Sequence, residues 1–416
     1  MSYLGRVPAL APFRVRSFRF QWPADLMASW AFEMEGVILG WFVLVSTGSV
    51  LALALFGSLQ FLGTLISPLI GMAGDRLGNR IVLCAMRGLY VVIAACLTLL
   101  FVTDLATPVP VFVLATIMGL VRPSDITMRN LLVGETMPAD QLMQAMGVSR
   151  TTADSARIVG ALSGAALVAL LGSGLAYVAV CTFYAASLAL TFNVGVRRLR
   201  VLGDSVVHGA PMAALREGFA YVWSMPALRA LMLLAFLINL TAYPLVGTLL
   251  AYVAKEVYGL GQSGLGWLIA CFAAGALLGS IAVSALGGRI QAARSVIVCA
   301  LLWFVLHLGF SWIETALWGE VVLFAAGFVQ SFCMIPMAVL ILQLSTPAFR
   351  GRVMGVRMLA VYGLPLGLLF SGPLVEYLGF TATGSLYSVV GLVFTAVIGF
   401  RWRNHLWHAD GSTNTR

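Results

Sequence analysis

Apolar runs long enough to cross a lipid bilayer recur along this chain from Trp22 to Trp402, broken by Gly, Pro and clusters of charge. Crossing the hydrocarbon core takes roughly 20 residues as helix, the form in which a single segment satisfies its own backbone N–H and C=O groups where water is absent. The breaks place twelve helices near 22–46, 50–73, 81–103, 109–133, 141–171, 175–196, 227–254, 263–286, 295–312, 318–343, 353–375 and 380–401. Composition agrees. With 61% of its 416 residues hydrophobic, 10% charged and a mean hydropathy of +0.98, the chain has too little polar surface to cover a water-soluble globule.

The basic residues set the orientation. Of 25, 24 are arginine and one is Lys255. With the N-terminus inside, arginines within 6–19, 76–87, 122–157, 197–229, 289–294 and 350–357, and from 401 onward, all fall in or beside cytoplasmic segments. The opposite connections hold only Lys255. This bias predicts an even number of spans with both termini cytoplasmic in a bacterial inner membrane. It also explains the net charge of +9 as topology, with no nucleic-acid partner. The basic start, MSYLGRVPALAPFRVRSFRF, precedes an apolar run too long for a signal-peptide core, so no removed signal is expected.

Catalytic and metal chemistry find no support in the residue pattern. Cys84, Cys96, Cys181, Cys271, Cys299 and Cys333 lie singly in apolar segments, and His208, His307, His405 and His408 form no ligand pair on a helix face. Cofactor loops and nucleophile–base pairs are likewise not evident, so the expectation is a protein that is not an enzyme and needs no cofactor or metal.

The longest polar stretch divides the chain into an N-terminal six-helix lobe (1–196), a central cytoplasmic linker (197–226) and a C-terminal six-helix lobe (227–416). Within the linker, Ala213 to Trp223 reads as an amphipathic helix on the membrane surface. MPADQLMQAMGVSR from Met137 is similar to TPAFRGRVMGVRM from Thr346, and NRIVLCAM from Asn79 to ARSVIVCAL from Ala293, half a chain apart. Such a parallel repeat builds two lobes around a central site. Small residues at four-residue spacing recur with the halves: Gly63, Ser67 and Gly71 in the second span, Gly160 and Gly164 in the fifth, Gly275 and Gly279 in the eighth, Gly363 and Gly367 in the eleventh. They let helix backbones approach closely.

Between the second and third spans stands GMAGDRLGNR, with Gly71, Asp75, Arg76, Gly78 and Arg80 in the pattern G-x-x-x-D-R-x-G-x-R. This resembles the signature loop of the major facilitator superfamily, and its position between those two spans makes the match specific. The resemblance implies an all-α integral membrane fold of twelve helices in two pseudo-symmetric lobes. It also implies a loop that latches the lobes on the cytoplasmic side, its Asp facing the start of the eleventh span near Arg352. The matching loop of the second half has Gly288 where an acid is expected. LGWFVLVSTGS, FLGTLISPLIG and ARIVGALSG are similar to the exporter branch that contains macrolide efflux pumps and siderophore exporters. ARIVGALSG is similar to the antiporter motif of the fifth span, with Ala161 where that motif has Pro.

Ionisable groups within a span cost about 2.5 to 3.5 kcal/mol on insertion scales, so each needs a partner, a wet cavity or a function. The first span holds Asp25, Glu33 and Glu35. Asp25 reads as a solvated helix-end carboxylate, with a place in proton coupling held open for it. Glu33 and Glu35, near the centre, point to opposite sides of the helix, and one of them is expected to carry protons. The fourth span places Arg122, Asp125 and Arg129 near one face, and the fifth places Asp154 and Arg157 one turn apart. Arg129, Asp154 and Arg157 read as a buried ion-pair network. The resemblance puts spans 1, 4, 7 and 10 around the cavity, which implies substrate contacts at Arg122, Asp125, Asn239, Tyr243 and Gln330.

The sequence therefore reads as a secondary active transporter working by alternating access, exporting amphipathic drug-like or siderophore-like small molecules by proton antiport. Its expected partners are a small-molecule substrate, protons and the lipid bilayer, with the protein as a monomer. A proton-coupled importer is the alternative, and a lipid-handling or sensor protein a third reading.

Overall fold

A computed structural model of the chain describes residues 12–64, 70, 73–74, 77–138, 141–195, 211–286, 290–346 and 349–411. Among these, regular structure is entirely helical: α1 (Arg16–Thr47), α2 (Val50–Leu59), α3 (Asn79–Val102), α4 (Pro108–Thr136), α5 (Leu142–Phe192), α6 (Pro211–Ser224), α7 (Pro226–Thr241), α8 (Gln262–Leu286), α9 (Ala292–Ser311), α10 (Ala316–Leu344), α11 (Arg350–Ala360), α12 (Gly363–Arg401) and α13 (Arg403–Gly411). Eight helices among the described residues are long and apolar enough to cross a membrane, nine if the bent pair α6 and α7 counts as one span.

Local chemistry explains the boundaries. Pro108 and Pro226 open α4 and α7 at the position where a missing N–H costs nothing. Gly48, at φ 62°, closes α1 with its N–H on the Leu44 carbonyl. The helices α5 and α12, at 51 and 39 residues, exceed the roughly 30 Å reach of one crossing. Each is broken at a glycine outside the helical region, Gly172 at φ 78° and ψ 168° and Gly379 at φ 83° and ψ 168°. The same left-handed conformation thus recurs half a chain apart, where the internal repeat places it.

The expected continuous seventh span, 227–254, is not what forms. Helix α7 ends at Thr241; short turns at Tyr243–Val246 and Leu250–Tyr252 and a π-helical turn at Val253–Val257 follow. Pro244 removes one N–H from the ladder and Gly247, at φ −106° and ψ −114°, leaves the helical region. The freed carbonyls are partly reused: Gly247 N–H donates to Tyr243 O at 3.0 Å and Leu249 N–H to Pro244 O at 3.3 Å. Helix α2 likewise stops at Leu59, short of the expected 50–73; residues 65–69 and 71–72 lie outside the described ones.

The chain divides into two compact units, Met1–Gly48 with Leu59–Ser205 and Ser49–Ser58 with Val206–Arg416. In the first, a Cβ added at Gly160 would lie 2.6 Å from Glu33 Cβ, and one at Gly164 2.9 Å from Met34 Cα, so these glycines seat α5 directly on the α1 backbone. Gly63 does the same against the Leu120 carbonyl of α4. In the second, Gly275 and Gly279 seat α8 on Phe324 and Phe328 of α10, and Gly363 and Gly367 seat α12 on Phe236 and Leu240 of α7. At Gly63 and in the fifth, eighth and eleventh stripes the small-residue spacing is therefore the packing surface that the sequence suggested, while Ser67 and Gly71 lie outside the described residues. Also in the second unit, Ser58 donates to Pro365 O at 3.1 Å.

Candidate functional site

Two carboxylates and two guanidiniums are buried together in the first unit. Asp25 on α1 pairs with Arg87 on α3, and Asp125 pairs with Arg129 one turn along α4. Cross-contacts close the set: Arg87 Nε lies 3.9 Å from Asp125 Oδ1 and Arg129 Nε 3.8 Å from Asp25 Oδ1. Arg87 also donates to Thr191 Oγ1, and Arg129 to Ser29 Oγ at 2.7 Å. Charge within the cluster cancels, which is what makes its burial tolerable. Asp25, only 8% exposed, is not the solvated helix-end carboxylate expected of it. Arg87, fully buried, was missed in the sequence because it counted among the orienting arginines. Its place two turns inside an apolar span, opposite an acid in the first, is the signal that finds it.

Glu35 sits one face away in a different setting. It is 2% exposed, and its two oxygens accept from Tyr177 Oη at 2.9 Å and Tyr184 Oη at 2.8 Å, both from the part of α5 after the Gly172 break. Neither partner is charged. Arg122, whose charge acts on Glu35 through space, instead donates to Gln60 Oε1 at 2.8 Å and Phe32 O at 3.2 Å, its guanidinium 4.5 Å from the Phe32 ring centroid. Phe32 in turn packs edge-on against Tyr90 and tilted against Tyr184, so the carboxylate is walled by aromatic rings.

Glu33, on the opposite face of α1, is about a third exposed at its side chain, with Oε1 3.6 Å from Arg157 Nε. The structure thus separates the residues expected to form one network: Arg129 belongs to the four-charge cluster with Asp125, while Arg157 meets Glu33 beside the Gly160 contact. Asp154 is half-buried one turn from Arg157 on α5.

In the second unit, Gln330 Nε2 on α10 donates to Tyr243 Oη at 2.7 Å, at the point where the seventh span breaks. The Tyr243 ring stands edge-on to Trp303, which lies 5.5 Å from the His307 ring. His307 is fully buried, packed behind the Trp303 ring. Asn239 turns its amide onto its own helix, donating to Ala235 O at 2.8 Å. Of the loop motif, Gly71, Asp75 and Arg76 lie outside the described residues. Gly78, at φ 93°, precedes α3, and Arg80 donates to Val194 O at 2.9 Å.

Chains built this way have known relatives. The Major Facilitator Superfamily profile matches residues 22–364, and matches again over 232–411. The chain belongs to the major facilitator superfamily. Among curated proteins, this superfamily member is 27% identical over 381 residues to the multidrug efflux pump Tap of Mycolicibacterium fortuitum, covering 88% of this chain and 90% of that one. It is 23% identical to Tap of Mycobacterium tuberculosis, covering 91% of each. Among solved structures, the POT family transporter PepTSo superposes with a TM-score of 0.74 at 11% identity, over 94% of this chain and 98% of that one, a likeness of fold. As a major facilitator, the chain is a multi-pass membrane protein and a secondary transporter, not an enzyme.

Proposed function

We propose that this chain exports amphipathic, drug-like small molecules in exchange for protons, with Glu35 as the proton carrier. The observation that carries the reading is the pairing of Glu35 with two neutral phenols. Protonating Asp25 or Asp125 would leave a buried arginine uncompensated, at a cost of several kcal/mol. Protonating Glu35 breaks no direct ion pair, since Arg122 is held by the Gln60 amide oxygen and the Phe32 carbonyl, and the tyrosine hydroxyls donate to the carboxylate and can turn to accept from the protonated acid. Such a group can take up and release a proton as its surroundings alternate between wet and dry. Glu33, already partly exposed and paired with Arg157, is the second candidate.

The export direction and the drug-like substrate rest on the relatives named multidrug efflux pumps. Twelve spans, both termini in the cytoplasm and a monomeric working unit complete the proposal. The glycine breaks at Gly172 and Gly379, inside two helices each too long for a single crossing, support the span number. Substrate is expected to contact Arg122 in the first lobe and the Tyr243–Gln330 pair and Asn239 in the second. The Gly71–Arg80 loop is expected to latch the lobes. The test is accumulation of fluorescent amphipathic cations and neutral drugs by inside-out vesicles under an imposed pH gradient. Accumulation that follows the gradient supports the reading; uptake only in right-side-out vesicles would make the protein an importer.

A further inference from the structure

Helix α6, between the two lobes in sequence, has two packing faces, and protein covers only one. On the covered face, Tyr221 stacks on Phe349 at 4.4 Å and 13°, with its Oη accepting from Thr346 N–H at 3.3 Å. Glu217 Oε2 meets Arg352 Nη1 at 2.8 Å, and a Cβ at Gly218 would lie 2.9 Å from the Arg352 carbonyl oxygen. Helix α6 thus clamps the start of α11. The other face reads Arg216, Phe219, Ala220 and Trp223, at i, i+3, i+4 and i+7, all exposed. Phe219 and Trp223 are 46% and 48% exposed, with their rings stacked at 5.0 Å and 17°.

The fold indicates what covers this second face. Across Met225, α6 bends by 113° into α7, the start of the expected seventh span, so α6 lies about 23° from the membrane plane when α7 stands upright and within about 45° of it when α7 tilts by the usual 20° or so. It does so at the level where that span ends, beside Arg229, whose guanidinium lies 5.5 Å from the Trp402 ring. Arginine and tryptophan at a span end mark the headgroup zone. We propose that α6 lies in the lipid interface of the arginine-bearing leaflet, with Phe219 and Trp223 at the boundary between headgroups and acyl chains and Arg216 toward anionic headgroups. The clamp through Glu217 and Tyr221 then ties the start of α11 to the lipid surface.

The intact protein tests this without mutation. It is reconstituted into phosphatidylcholine–phosphatidylglycerol vesicles doped with a phospholipid carrying a diazirine near the carbonyl end of one acyl chain, then photolysed and digested with trypsin. The tryptic peptide 217–229 contains the whole stacked pair. Adducts on Phe219 and Trp223 are expected. Adducts confined to 226–229, or a face protected by a covalent or mass-resolved dimer, would overturn the proposal. A second measurement reads the clamp: in a Phe219→Ser, Trp223→Ser variant, hydrogen exchange at 349–353 is expected to rise at least about threefold in the same vesicles. Unchanged exchange there would overturn the tie to α11.

Discussion

Tyr184 donates its phenolic hydroxyl to Glu35 Oε2 at 2.8 Å, reaching α1 from the half of α5 that follows the Gly172 break. With Tyr177 it occupies both oxygens of a carboxylate that is nearly without solvent. Removing both hydroxyls, as Tyr177→Phe with Tyr184→Phe, leaves a buried acceptor unpartnered at a cost of about 1–3 kcal/mol. Thermal unfolding in detergent is expected to shift down in the double variant, by less in either single one, and substrate-independent folding is expected to survive.

The four-charge cluster behaves differently. Arg87→Ala would leave Asp25 and Asp125 facing one arginine in place of two, and breaking a buried pair this way costs about 3–5 kcal/mol. Arg87→Met combined with Asp25→Asn removes one charge of each sign and is expected to recover much of that loss. Yield of folded protein and unfolding temperature, compared across Arg87→Met, Asp25→Asn and the double, check this.

Close approach of α5 to α1 makes a steric prediction. Gly160→Val places a branched side chain where even a Cβ meets Glu33 and the Trp30 carbonyl, whereas a Cβ at Gly147 on the same helix meets nothing within 4 Å. Gly160→Val is expected to destabilise by roughly 1–3 kcal/mol and Gly147→Ala by essentially nothing, read by thermal unfolding.

How much of this was legible in the sequence follows from what each residue type reports by itself. The apolar runs, the glycine stripes and the breaks near 172 and 379 could be read because length and small size act locally. Asp25 and Arg87 could not be paired, since an arginine two turns inside a span looks in sequence like one that orients a loop; only the packing of α1 on α3 distinguishes them. The break in the seventh span was visible as Pro244 and Gly247, but hydropathy runs straight through both. Glu33 and Glu35 were correctly set on opposite faces of a helix, while the identity of their partners required α5 to be placed.

In the second unit, Tyr243→Phe removes the acceptor that holds the Gln330 amide at the broken span. If that pair touches substrate, the apparent KM for transported compounds is expected to rise by up to about tenfold, the equivalent of 1.4 kcal/mol, with the maximal rate less affected. Flux measured against substrate concentration in proteoliposomes checks it.

The measurement that bears most directly on the proposed function is gradient-driven export by Glu35→Gln and Glu33→Gln, each reconstituted beside the native protein, with substrate binding followed by thermal stabilisation. The account predicts that Glu35→Gln binds substrate but no longer concentrates it when a pH gradient is imposed, while Glu33→Gln still does. Native-like, gradient-dependent accumulation by Glu35→Gln would contradict it.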